Sequence, residues 1–332
     1  MTKHWTNMEL LDVVRSFQTA CVLAAGVALD VFSSLHEKPT TARGLASRLG
    51  TDLRATTILL DALAALGFLA KQAERYTVPE DMARFLSEQS AENVLPMARH
   101  QANCLRRWAE LPVVARTGKR PETSPSIRGA AADQADFIGA MHNISKPIAA
   151  EVIEHLHPLK FRHLLDVGGG PGTWTIEFLH VVPKARATLF DLPPVTVMAR
   201  ARFVEAGLAD RVTLVGGDFC TDDLPAGADL AWLGAICHQN SREQNRALFA
   251  KVHKALADDG AVVIRDVVMD PSRTSPASGA LFAVNMLTAT EAGGTYTFDE
   301  YSEDLREAGF GEAVLVHQDE FMSSLIRAKK GG

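Results

Sequence analysis

Four residues able to handle protons stand where an apolar run of the chain gives out. Asp166 lies in HLLDV, Asp191 closes ATLFD, Asp218 follows VTLVGG, and His238 follows LAWLGAIC. Short apolar runs of this kind read as buried strands, and in a parallel sheet ligands gather outside the carboxyl ends of the strands. Carboxylates there can accept from hydroxyl and amino groups, and a histidine there can take up a proton near neutral pH. Between Asp166 and the helical segment TWTIEFLHVV lies a loop containing Gly168, Gly169, Gly170, Pro171 and Gly172. Glycine lets the backbone turn tightly and approach a ligand, and the helix beyond opens with unpaired N–H groups. Strand, glycine loop and helix form a nucleotide-type cradle.

Two cofactor classes use such a cradle, and spacing separates them. A dinucleotide fingerprint needs G-x-G-x-x-G, but from Gly168 the last required glycine is Thr173, which weakens an NAD reading. An acidic residue at the strand end followed by G-x-G-x-G resembles motif I of the class I S-adenosylmethionine (SAM)-dependent methyltransferases. Asp191, 25 positions after Asp166, can accept both ribose hydroxyls of an adenosine; capping the helix after Pro193 and Pro194 is the structural alternative. Asp218 can accept from an adenine amino group and Phe219 can pack on the ring face, against the plainer roles of loop cap and core residue.

The elements that position these residues divide the chain in two. At 332 residues, 47% hydrophobic and 22% charged, it is long enough for two globular domains. The boundary is placed near residues 156–162, giving domains 1–158 and 159–332. In the second half strands at 163–167, 187–191, 211–216, 228–233 and 260–267 alternate with helices near 172–182, 194–207 and 241–257. A helix at 299–308 and two closing strands, GEAVLVHQD and EFMSSLIRA, follow. This α/β order predicts a Rossmann-like seven-stranded sheet with a terminal antiparallel hairpin. In the first half, apolar helices over 7–35 precede a helix ARGLASRL, a second helix from about Asp52 to Leu66, and a hairpin, FLAKQAERYTV. That pattern is a winged helix in an otherwise helical domain. Helical stretches over 92–116 and 133–156 flank a polar connector.

Composition limits the partners. The net charge of −6, and a would-be recognition helix with one arginine against two aspartates, argue against nucleic acid. No run of about 18 apolar residues spans a bilayer and no signal-peptide layout opens the chain, so a cytoplasmic protein without membrane association is expected. Cys21, Cys104, Cys220 and Cys237 are scattered and suggest neither a disulfide framework nor a metal site. The greasy first helix must cover something, either its own domain or a second subunit.

The set LLDVGGGPG, FDLPPV, GDF, AICHQNSREQNRALFAKVHKAL and DDGAVVIRDVVMD, behind a winged helix, resembles the plant caffeate-type and acetylserotonin-type O-methyltransferases and their bacterial relatives acting on polyketides and phenazines. The resemblance covers nearly the whole chain. It implies a homodimer through the N-terminal domain, SAM as cofactor with S-adenosylhomocysteine (SAH) as product, no metal, and a small aromatic or polyketide-like acceptor held between the domains. By position, Gly168, Gly170, Asp191, Asp218 and Phe219 would contact SAM, with Asp166 and Leu192 beside them. Trp108, Phe137, Met141, Phe282, Asn285 and Met286 would line the acceptor pocket.

A phenol of pKa about 10 is protonated at neutral pH, so methyl transfer to it needs a base. His238 matches the family's base. Its surroundings depart from the family pattern: His-Asp-Trp reads His238-Gln239-Asn240, the orienting glutamate is replaced by Tyr296, and a second glutamate falls at about Arg327. An imidazolium at His238 would then lack a neighbouring carboxylate. Three readings follow: His238 acts with a neutral partner such as Tyr296, the enzyme works by proximity on an acidic acceptor, or the fold serves other SAM chemistry, including hydroxylation or transfer to N or C. A ligand-responsive winged-helix regulator and a cofactor-binding scaffold are the non-enzymatic alternatives.

Overall fold

The computed structural model describes residues 4–331, which divide into two compact units: one runs to Ala109 and adds Thr123–Asn143, the other comprises Glu110–Glu122 and the chain from Ile144. The first unit opens with α1 (Asn7–Arg15), α2 (Phe17–Ala28) and α3 (Val31–Glu37). A capping box between Thr6 and Glu9 starts α1, and Asp30, in left-handed conformation, separates α2 from α3. Residues Asn7–Ala28 are long and apolar enough to cross a membrane, by length and composition only, with a hydropathy of 1.4. This differs from the sequence reading, which counted unbroken apolar runs and passed over a stretch interrupted by Asp12 and Arg15. Leu10, Val13, Val14 and Phe17 on these helices are more than half exposed.

Next come β1 (Thr40–Thr41), α4 (Ala42–Leu49), α5 (Leu53–Ala65), β2 (Ala70–Gln72) and β3 (Arg75–Thr77), the strands ordered β1-β3-β2. The Thr41 hydroxyl and the Asp52 carboxylate accept from the Gly44 and Ala55 N–H groups and cap the two helices. This is the winged helix that the sequence predicts. Val27, Val31, Phe32, Leu35, Leu45, Leu60, Leu63 and Tyr76 form its core. Then follow α6 (Glu80–Leu86), α7 (Leu95–Trp108), α8 (Leu111–Thr117), α9 (Ala130–Ser145) and α10 (Ala149–Glu154). The two long helical stretches expected from periodicity are therefore each broken. Pro112, lacking an N–H, sits in the first turn of α8, and Pro147 lies between α9 and α10.

The second unit is built on β4 (His163–Val167), α11 (Thr173–Val181), β5 (Arg186–Asp191), α12 (Pro193–Glu205), β6 (Val212–Gly216), β7 (Ala228–Gly234), α13 (Arg242–Ala255) and β8 (Leu256–Asp266). Then come β9 (Val268–Met269), α14 (Ala277–Ala289), β10 (Tyr296–Thr297), α15 (Phe298–Glu307), β11 (Val314–His317) and β12 (Ser324–Lys329). Seven strands pair in the order β11-β12-β8-β7-β4-β5-β6, all neighbours parallel except those of β12. Buried strands such as LLDV and AWL carry apolar residues on both faces, one packing with Phe249, Val252 and Leu305, the other with Phe178, Leu179 and Phe203. The chain moves outward from β4 through β5 to β6, then returns to β7 on the other side of β4. The crevice between the ends of β4 and β7 is thus the switch point where an open α/β sheet binds ligands.

Candidate active site

The glycine loop leaves β4 at this switch point. Gly168 and Gly170 both have left-handed backbones, φ 68° and 54°, which an L side chain adopts at a cost. A Cβ at Gly168 would meet Ile236 Cδ1 at 2.3 Å, whereas a Cβ at Gly170 would meet nothing within 4 Å. Gly168 is packed from below, and Gly170 opens to space that a side chain would fill. A ligand can therefore lie against main chain there.

Asp191, at the end of β5, accepts from the Gly170 N–H at 2.8 Å and the Leu192 N–H at 2.7 Å. Burial pushes its carboxyl up from the usual range, opposed by those two donors. Asp166 is buried below the loop and accepts from the Thr175 hydroxyl at 2.5 Å. It ties the strand to the first turn of α11. Burial pushes its carboxyl up to about 7, with the Asp191 charge adding to the rise and Thr175 opposing it. Asp218 accepts from the Cys220 N–H at 2.8 Å and so shapes its own loop. The Phe219 ring lies 3.8 Å from the Gly168 Cβ position, which brings the end of β6 beside the glycine loop. Leu192 is exposed at the start of α12.

His238 lies in one 3-10 turn, Cys237–Gln239, just past β7. Its ring Nδ1–H donates to Asp266 Oδ1 at 2.9 Å, and its main-chain N–H donates to Asp266 Oδ2 at 3.1 Å. Asp266 also accepts from the Val267 N–H at 2.8 Å and is 1% exposed. With Nδ1 committed as donor, Nε2 carries the lone pair. Phe282 of α14 stands edge-on to the imidazole, with ring centroids 4.8 Å apart.

This corrects the expectation that His238 lacks a carboxylate partner. Asp266 supplies it from the end of β8, and Tyr296 does not serve as partner to the ring. The Tyr296 hydroxyl donates instead to the Asn240 carbonyl, and burial pushes the phenol up to about 12, so at neutral pH it is a donor. The Gly293-Gly294 segment does reach the histidine, through the Gly294 N–H donating to the His238 carbonyl at 2.9 Å. Arg327 lies in β12, paired with Val263 and Val314.

Two further residues escaped sequence reasoning. Lys251 of α13 donates to the carbonyls of Phe219, Cys220 and Asp222 at 2.9, 2.9 and 3.0 Å. Asn245 of the same helix donates to the Cys237 carbonyl at 3.0 Å. Of the residues expected to line an acceptor pocket, Phe282, Asn285 and Met286 share α14 in the second unit, with Met286 buried. Trp108, Phe137 and Met141 belong to the first unit, where Phe137 tilts against His100 at 5.2 Å. No group of three or more metal-ligating side chains occurs among the described residues.

Comparison with known proteins agrees with this geometry. An O-methyltransferase domain is matched over residues 126–311 and an O-methyltransferase dimerisation domain over residues 11–88. The tetracenomycin polyketide synthesis 8-O-methyl transferase of Streptomyces glaucescens is 32% identical over 91% of this chain and 91% of its own. The 3-hydroxy-5-methyl-1-naphthoate 3-O-methyltransferase of Streptomyces sahachiroi is 30% identical over 92% and 90%. Among solved structures, PigF with SAH superposes with a TM-score of 0.86 at 25% identity, covering 98% of this chain and 100% of that one. PigF of Serratia is named as an S-adenosyl-L-methionine-dependent methyl transferase.

Proposed function

Because this chain belongs to the SAM-dependent O-methyltransferase family of the polyketide and acetylserotonin type, we propose that it methylates a hydroxyl of a small aromatic or polyketide-like acceptor, with His238 as general base. The observation that carries this reading is the His238–Asp266 pair, 2.9 Å apart, across the switch point from the glycine loop. The open face at Gly170, the carboxylate of Asp191 and the ring of Phe219 fit an adenosyl group. In this reading Gly168 and Gly170 take the cofactor against main chain, Asp191 with Leu192 beside it holds the ribose, and Asp218 and Phe219 hold the adenine. Asp166 fixes the loop from beneath.

Bound SAM supplies an electrophilic methyl group on a sulfonium. The chain's own task is to orient an acceptor hydroxyl and remove its proton. Nε2 of His238 takes that proton. The Nδ1–H bond to Asp266 then stabilises the imidazolium, as a carboxylate beside a histidine does. Phe282 packs on the same ring, and Phe282, Asn285 and Met286 supply an acceptor-facing wall. Apolar walls favour a flat acceptor. The exposed apolar side chains of α1 and α2, overlapping the dimerisation domain, support a homodimer.

Two measurements test the reading together. Isothermal titration with SAH should show binding by the wild-type protein, and no binding by the folded protein would refute it. With labelled SAM and a panel of hydroxylated aromatics, His238→Ala should lower turnover by about 10²-fold or more while SAH affinity holds; unchanged turnover would remove the histidine from the chemistry.

A further inference from the structure

Lys251 of α13 commits its ammonium group to main chain. Its Nζ donates to the carbonyls of Phe219, Cys220 and Asp222 at 2.9, 2.9 and 3.0 Å, and those three bonds use every N–H that an ammonium has. What the cation holds is a set of carbonyls, not a carboxylate. Carbonyl oxygens gathered around one atom crowd partial negative charge together, and a cation at their centre offsets that repulsion. The helix behind the lysine is firmly seated, because Leu248, Phe249, Val252 and Ala255 are buried.

The loop that Lys251 holds has little else to fix its place. Phe219 and Leu224 pack on the core, but Cys220, Thr221, Asp222 and Asp223 between them are exposed. A second set of bonds joins the loop to itself. The Asp222 carboxylate accepts from the Asp218 N–H at 2.8 Å, the Asp218 carboxylate from the Cys220 N–H at 2.8 Å, and the Asp218 carbonyl from the Asp222 N–H at 2.7 Å. These bonds give the segment a shape without attaching it to a neighbour.

Two lysines of α13 reach it from outside, and their settings rank them. Lys254 meets the Asp223 carboxylate at 3.2 Å, with both side chains about three-quarters exposed, and such a surface pair contributes little. Lys251 makes three charge-assisted bonds, each roughly twice as strong as a neutral one. The segment it grips begins at Phe219, whose ring lies 3.8 Å from the Gly168 Cβ position, directly after Asp218.

We propose that Lys251 is a positioning residue for the adenine of the cofactor, acting through the 219–222 loop to hold Asp218 and Phe219 where the ring docks. The proposal rests on the reading of Asp218 and Phe219 as the adenine side of a SAM site. A loop already held in its bound conformation loses no freedom when the ligand arrives, and affinity rises accordingly. Ligand-binding loops otherwise belong to the least stable parts of a fold.

Titration calorimetry on the full chain tests this with SAH and with its purine analogue, in which hydrogen replaces the 6-amino group. Wild type should bind SAH more tightly than the analogue, because only SAH can donate that amino group to Asp218. Lys251→Met, which keeps the stem and removes the cation, should lower SAH affinity about 10-fold or more and narrow the preference for SAH. Lys251→Arg, which keeps the charge, should recover most of the loss. If Lys251→Met does not fold, Lys251→Gln, which keeps an N–H donor without the charge, decides on the same two readouts. SAH affinity within 2-fold of wild type, or a loss shared equally by the two ligands as a general loosening would give, overturns the proposal. A wild-type protein that binds SAH without preferring it to the analogue overturns the adenine reading of Asp218, and one that binds no SAH overturns the SAM reading itself; the proposal falls with either.

Discussion

Asp266 holds His238 at two points, the ring Nδ1 at 2.9 Å and the main-chain N–H at 3.1 Å, so one carboxylate fixes both the tautomer and the turn that presents the ring. Asp266→Asn keeps an oxygen for Nδ1–H but removes the negative charge and faces the main-chain N–H with an amide. Turnover should fall by about 10²-fold, toward the range expected for loss of a general base, with SAH affinity within 2-fold of wild type. A variant that turns over normally would show that the pair is structural.

Tyr296→Phe should behave differently. Its hydroxyl serves the Asn240 carbonyl and not the imidazole. Removing it leaves a buried acceptor short of one bond, worth about 1 kcal/mol, so the melting temperature should drop by a few degrees while turnover stays within 2-fold. A loss of turnover comparable to that of Asp266→Asn would reinstate the phenol as a catalytic partner.

The two sides of the glycine loop give a paired test. Alanine at Gly170 meets no atom within 4 Å, so its folding cost is limited to the left-handed backbone, about 1–2 kcal/mol. Its methyl group projects into the proposed cradle, and SAH affinity should fall about 10-fold or more by titration calorimetry. Alanine at Gly168 adds a clash with Ile236 to the same backbone strain and should show up mainly as a lower melting temperature.

Asp166 makes stability depend on pH. Its carboxyl lies near 7 in the folded chain against an ordinary value of 3.8, so the folded state binds the proton more tightly than the unfolded one. The contribution is fully present below about 4 and is lost as pH rises toward 7. Asp166→Asn, which can still accept from Thr175, should lack this component. The difference in unfolding free energy between variant and wild type should therefore move in the variant's favour between pH 4 and 7; a constant difference would contradict it.

Leu10 and Val14, one helical turn apart and 54% and 62% exposed, test the second-subunit role of α1. Replacing both by glutamate should convert a dimer to monomer in sedimentation velocity at micromolar concentration without unfolding the chain. An unchanged sedimentation coefficient would place the interface elsewhere.

Much of this architecture is legible in the sequence because strand ends and glycines leave local marks. Residues 163–167 read as a strand from LL and V alone, and they form one; the winged helix is announced by Thr41, Asp52 and Gly67. The partner of His238 left a mark too. VVIRD ends in an acid, as the strands before Asp166 and Asp191 do, and the same strand-end reasoning carried to β8 points to Asp266. What no local pattern encodes is the pairing itself, because Asp266 and His238 are 28 positions apart and meet only when β7 and β8 lie side by side. Lys251 is hidden for the opposite reason: in a polar helix surface it looks like any solvated lysine, and only the folded loop at 219–222 gives it three carbonyls.

Helix α13 holds two loops through Asn245 and Lys251. Asn245 grips the carbonyl preceding His238 and Lys251 grips the loop after Asp218, six residues or about 9 Å apart along one rigid rod. The turn at His238 and the loop at 219–222 are thereby tied to one helix. In amide exchange, the protons of 219–222 and 237–240 should open together, as one cooperative unit with a shared free energy. A substitution that frays α13 should loosen both loops at once, although they follow separate strands.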